Sequence, residues 1–254
     1  MTSGNRRQRI ARGITLLLGA LLSAALQAGE AVGYRVDGEP YEGYFAAAED
    51  SRGLVLLIHD WDGLTAYEER RARMLAERGY SVFAADLFGA GVRPTAVVDK
   101  RQHTGELYRD REKMRALMRA ALDAAAAAGA DVSRAVAMGY CFGGAAVLEL
   151  ARAGDPLLGF ATFHGGLATP PGQDYSATRG AVRIYHGSAD TAISMAQFAA
   201  LAEALESASV AHEMVSYGGA PHAFTVFGSD RYRESADRAS WASFLEFLGS
   251  TLGS

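Results

Sequence analysis

The stretch AVAMGYCFGGAAVLELARA (residues 135–153) holds Cys141, the chain's only cysteine. Its first four residues are apolar and read as a short strand, 135–138, while AAVLELARA reads as a helix. Between them stands Gly139-Tyr140-Cys141-Phe142-Gly143, the pattern G-x-[S/C]-x-G. A sharp strand-to-helix turn needs small residues two before and two after its centre, where side chains would otherwise collide. Such a turn exposes its central residue beside a helix N-terminus, whose partial positive charge favours a thiolate. The same residues also fit a small buried cysteine in a glycine-rich packing turn. On this stretch alone both readings stand.

Outward from it, the chain alternates short apolar runs with helical spacing. LVLLI (54–58), SVFAA (81–85), GFATF (159–163), VRIYH (182–186) and HEMVSY (212–217) read as strands. Helical periodicity appears at Tyr67/Met74/Leu75, then in one long helix carrying Leu107, Met114, Leu117, Met118 and Ala121 on a single stripe. It returns at Met195/Phe198/Ala202/Leu205 and at Trp241/Phe244/Leu245/Leu248/Leu252. ALDAAAAAGAD is a helix end stopped by Gly129, and VGYRVDGEPYEGYFAA is an N-terminal hairpin turning at Asp37-Gly38. This alternation predicts an α/β fold, a mostly parallel sheet with helices on both faces. Ligands of such sheets bind at the carboxyl ends of the strands.

Two residues arrive at those ends to join Cys141. Asp190 follows VRIYH in HGSADT, and His222 follows HEMVSY in GGAPHAF. The order Cys, Asp, His, each just past a separate strand, is that of a nucleophile, an orienting acid and a base on an α/β-hydrolase sheet. Asp190 as a helix cap near Met195 and His222 as a satisfied loop histidine are the plainer readings. His59, His164 and His186 flank other strand ends but lack metal-ligand spacing, so neither a metal nor a cofactor is expected. His103 and His212 read as surface or satisfied residues, and Asp86 as a loop hydrogen-bonding group.

From about Gly33 to the C-terminus the chain resembles the dienelactone hydrolase family. The markers are HDWDGL (59–64), ADLFGAG (85–91), MGYCFGGAA (138–146), YHGSADT (185–191) and PHAF (221–224). The resemblance implies an α/β-hydrolase fold with Cys141 as nucleophile, His222 as base and Asp190 orienting it. It also implies an oxyanion hole from the backbone N–H groups of Trp61 and Phe142. An acidic residue, usually Glu, governs the thiol in this family. Here the slot holds Asp60, one methylene shorter, and a plain loop cap is its alternative reading. The family's two carboxylate-binding arginines are not in place: Gly89 and Ala90 follow Phe88, and Thr225 and Val226 follow Phe224. Arg93 is the nearest basic candidate for substrate binding. The expectation is therefore a hydrolase of a carboxylic ester or lactone, working through a thioester, on a substrate other than dienelactone. A non-catalytic envelope binding protein on the same fold is the alternative.

Residues 1–28 read as a signal peptide, with Arg6, Arg7, Arg9 and Arg12 ahead of an uncharged apolar segment from Ile14 to Leu26; an uncleaved N-terminal anchor is the alternative reading. That leaves 29–254 as one hydrolase domain, exported to the periplasm or beyond, as a monomer or small homo-oligomer. Removing 1–28 deletes four arginines and no acid, so Lys+Arg falls from 25 to 21 against 29 acids and the net charge moves from −4 to −8. Such a charge argues against nucleic acid or an anionic membrane as partner; a small-molecule ester or lactone is the partner that the resemblance implies. A lone cysteine excludes a disulfide framework.

Overall fold

Leu54–Ile58 is apolar at all five positions because both its faces are covered. In the computed structural model, which describes residues 29–253, Leu54, Leu56 and Ile58 enter one half of the core, and Val55 and Leu57 the other. The proposed signal peptide lies outside the described residues.

The eight strands are β1 (Glu30–Val36), β2 (Glu39–Ala46), β3 (Leu54–Ile58), β4 (Ser81–Ala85), β5 (Ala135–Tyr140), β6 (Gly159–Phe163), β7 (Ala181–Gly187) and β8 (His212–Tyr217). They form one sheet in the order β1-β2-β4-β3-β5-β6-β7-β8. The β1–β2 and β2–β4 pairs are antiparallel and the others parallel. The hairpin turns where expected: Asp37 and Gly38 both have positive φ, 51° and 86°, as a tight two-residue turn demands. Among the described residues six helices cover the sheet: α1 (Ala66–Ala76), α2 (Val97–Arg109), α3 (Arg111–Ala127), α4 (Phe142–Arg152), α5 (Met195–Ser207) and α6 (Glu234–Leu252). Side chains of α2 to α5 fill one half of the core and those of α1 and α6 the other. Strand order reverses beside β3, so the ends of β3 and β5 open the crevice in which such sheets bind ligands.

Two details differ from the sequence expectation. The single long helix is two, broken at Asp110, whose backbone leaves the helical region (φ −115°, ψ 80°). Its carboxylate caps the second helix by accepting from Lys113 N at 2.9 Å, a local bond that apolar periodicity does not register. Met195 is 40% exposed rather than buried, because the helix begins there. Ser194 and Gln197 form the capping box, and the buried stripe starts at Leu201.

Candidate active site

The β5–α4 turn is built from glycine because nothing larger fits. A Cβ on Gly139 would overlap the backbone of Gly143, and one on Gly143 the carbonyl oxygens of Ile58 and His59. Between them Cys141 takes φ 52°, ψ −110°, a conformation that costs about 1–3 kcal/mol and is held by its surroundings. Its N–H donates to Phe163 O at 3.1 Å, and its carbonyl accepts from Gly166 N at 3.3 Å. The thiol is left partly exposed at the sheet's carboxyl edge.

His222 reaches that thiol. Its Nε2 lies 3.1 Å from Cys141 Sγ, and its Nδ1 2.8 Å from Asp190 Oδ2. With Nδ1–H donating to the carboxylate, Nε2 is free to accept the thiol proton. Asp190 also serves its own loop, since Oδ1 accepts from Ala192 N at 2.8 Å and Ile193 N at 2.9 Å. These bonds close the loop ahead of α5, whose cap is Ser194, so Asp190 is not the helix cap that the plainer reading made it. Burial alone would raise the Asp190 pKa, but these bonds hold it below the usual carboxylate range. Burial alone would lower the His222 pKa, but the bonds to Asp190 and Cys141, and both charges, raise it to about 10.

The loop bearing His222 is pinned from below. Thr225 Oγ1 bonds His164 Nε2 at 2.8 Å and the Tyr67 hydroxyl at 2.7 Å. Its carbonyl accepts from Arg71 Nη2 at 2.7 Å, and that guanidinium pairs with Asp237. His59 is likewise structural. Its Nε2 accepts from Leu87 N at 3.1 Å and its Nδ1–H donates to Asp60 O at 2.6 Å, tying the end of β3 to that of β4. Burial lowers its pKa to about 4, so it stays neutral. His186 stacks on Phe198. Among the described residues no group of three or more His, Cys, Asp or Glu is placed to hold a metal ion.

Asp60 does not bond the thiol. Its Oδ1 accepts from Asp62 N at 2.8 Å, closing its own loop. Burial nevertheless raises its pKa to about 6, against the bond from the Asp62 amide and, more weakly, the charges of Lys100 and His222. Behind it lies a carboxyl that sequence reading passed over. Glu68 is 1% exposed, and its Oε2 accepts from Thr65 N and Thr65 Oγ1. The T-x-x-E capping-box spacing was the available signal. Burial, then the Asp60 charge, raises the Glu68 pKa from 4.5 to about 8. An acid raised on folding contributes most below its unfolded pKa and loses that contribution as pH climbs through the folded one. Glu68→Gln keeps an oxygen acceptor but cannot ionise. Its melting temperature relative to wild type is expected to rise between pH 5 and pH 8. An equal difference at both pH values would contradict this.

The cations sit otherwise than expected. Arg93 lies 3.7 Å from the buried carboxylate of Asp86 and donates to Val92 O at 2.8 Å. Asp86 itself accepts from Phe88 N and Gly89 N, the loop bonding expected of it. The cation beside the crevice is Lys100 of α2, which pairs with Asp62 and lies 5.2 Å from the Trp61 ring centre. Among the described residues the amides of Trp61 and Phe142 donate to no other group.

The pattern of the dienelactone hydrolase family matches residues 41–252. The chain belongs to the dienelactone hydrolase family. It is similar to a dienelactone hydrolase-like promiscuous phosphotriesterase from metagenomic libraries, at 30% identity and TM-score 0.81, covering 88% of this chain and 98% of that one. A second solved structure, m3DLH, is 31% identical with the same TM-score and coverage. Esterase 2 of Thermogutta terrifontis, seen phosphorylated by paraoxon, shares the fold at 21% identity and TM-score 0.64, covering 87% and 95% of the two chains. No match was found among curated proteins. As a member of this family the protein is an ester-hydrolysing enzyme acting on a small molecule. Among the described residues no helix is long and apolar enough to cross a membrane.

Proposed function

We propose that this dienelactone hydrolase-family enzyme is exported and cleaves an uncharged carboxylic ester or lactone through Cys141, His222 and Asp190. The observation that carries the reading is the unbroken contact chain from Sγ through the imidazole to a buried carboxylate. His222 Nε2 takes the thiol proton, and Sγ attacks the ester carbonyl carbon. The carbonyl electron pair moves onto oxygen, where the free amides of Trp61 and Phe142 receive it. When the carbonyl reforms, the alkoxide leaves and takes the proton from His222. Water, deprotonated by His222, then attacks the thioester. Sulfur departs and regains a proton, releasing the acid. Asp190 keeps the imidazole oriented and stabilises its charged form. Asp60 tunes the pair through its charge on His222 rather than by a bond to sulfur. The domain spans residues 29–254 once 1–28 are removed.

The preference for an uncharged substrate rests on the two nearby cations, each already paired: Arg93 with Asp86 and Lys100 with Asp62. A substrate carboxylate would have to displace one of those acids. In a panel of p-nitrophenyl esters, the butyrate is expected to be turned over with a kcat/KM about tenfold or more above that of its carboxylate-bearing succinate analogue, about 1.4 kcal/mol. Equal rates, or faster succinate hydrolysis, would overturn the assignment. A side activity on phosphotriesters is a second reading, favoured by the 30% identical neighbour that has it. Paraoxon in the same panel tests it.

A further inference from the structure

Helix α2 brings into the crevice a polar group that the proposed mechanism leaves unused. The ring of Tyr108 packs edge-on against Phe142, the residue after the nucleophile, with centroids 5.4 Å apart. The residue is 37% exposed. Its hydroxyl stands over the loop after β6, where a Cβ added to Gly166 would lie 3.7 Å from it. The amide of that same Gly166 donates to the carbonyl of Cys141. The phenol therefore lies beside the nucleophile, and after burial the Cys141 charge is the next influence on its ionisation. Among the described residues its hydroxyl forms no hydrogen bond.

Its side of the crevice follows from the two halves of the core. Leu107 and Phe142, the neighbours of Tyr108, belong to the half under α2 to α5. The loop of His222 is anchored in the other half, through Ala220 and Phe224. Tyr108 and His222 thus flank Cys141 from opposite faces of the sheet. A tetrahedral carbon on Sγ has three other substituents. With the oxyanion on the amides of Trp61 and Phe142 and the leaving oxygen on His222, as in the proposed mechanism, the direction left for the acyl chain is away from His222, the side on which Tyr108 packs against Phe142.

We propose that the Tyr108 hydroxyl donates a hydrogen bond to an oxygen on the acyl chain, so that the enzyme selects esters or lactones whose acyl part carries an ether, keto or hydroxyl oxygen near the carbonyl. The inference rests on the reading of Cys141 as nucleophile. A matched pair of substrates tests it: p-nitrophenyl methoxyacetate and p-nitrophenyl butyrate, which differ by one oxygen in place of a methylene. Their different intrinsic reactivities cancel when the ratio of their kcat/KM values is compared between wild type and Tyr108→Phe. The methoxyacetate-to-butyrate ratio is expected to fall about fivefold in the variant, the worth of one neutral hydrogen bond. A ratio unchanged from wild type, with equal melting temperatures, overturns the proposal. Failure of the underlying reading is visible separately, as butyrate hydrolysis that survives Cys141→Ala.

Discussion

Cys141→Ala is expected to lower kcat for p-nitrophenyl butyrate by at least about 10⁴-fold, because removing a nucleophile leaves only the contribution of binding and oxyanion stabilisation. The fold should not respond. Alanine keeps the same Cβ, so the positive φ of residue 141 is no more strained than before. The turn is held by glycine contacts and by the backbone bonds to Phe163 and Gly166, none of which involves sulfur. The check is paired: steady-state rates for both proteins, with a thermal melt of each. Retained activity in a folded variant would remove the thiol from the mechanism.

Arg71→Leu is expected to destabilise the protein by about 3–5 kcal/mol, because it strands the carboxylate of Asp237 in the core. The two side chains are 1% and 6% exposed, and the guanidinium also lies 4.9 Å from the Trp241 ring centre. The pair joins α1 to α6 across the half of the core beneath His222. At about 2–4 °C per kcal/mol for a chain of this size, the melting temperature should drop by roughly 10 °C. Arg71→Leu combined with Asp237→Leu should recover part of that loss, since no unpaired charge remains. A single variant that melts with wild type would contradict the account. Arg71 also holds the carbonyl of Thr225, three residues past His222, so the single variant should be slower at temperatures where it remains folded.

Most of the fold was legible because its central strands, β3 to β6, are covered on both faces. A run such as Leu54–Ile58 needs no alternation, and its ends fall where apolarity stops. Cys141, Asp190 and His222 were legible for a related reason: each lies in the loop or turn just past the end of β5, β7 or β8, so topology brings them to one edge. What escaped depends on cross-element packing. Nothing near Arg93 in the chain announces that Asp86 will occupy it, and nothing near Lys100 announces Asp62. The break at Asp110 turns on one side-chain bond inside an otherwise helical pattern. Tyr108 reads as one more residue of an amphipathic helix until α2 lies across Phe142. The Asp60 slot was legible and its bond was not, because the shorter carboxylate turns back onto Asp62.

The thiol carries the hydrolysis in this mechanism, and the chain's single cysteine makes its role directly measurable. Iodoacetamide is added in steps, and carboxamidomethylation is read by intact mass beside the rate of butyrate hydrolysis. Activity is expected to fall in proportion to the label and to vanish at one label per chain. Full labelling of Cys141 with hydrolysis preserved would contradict it.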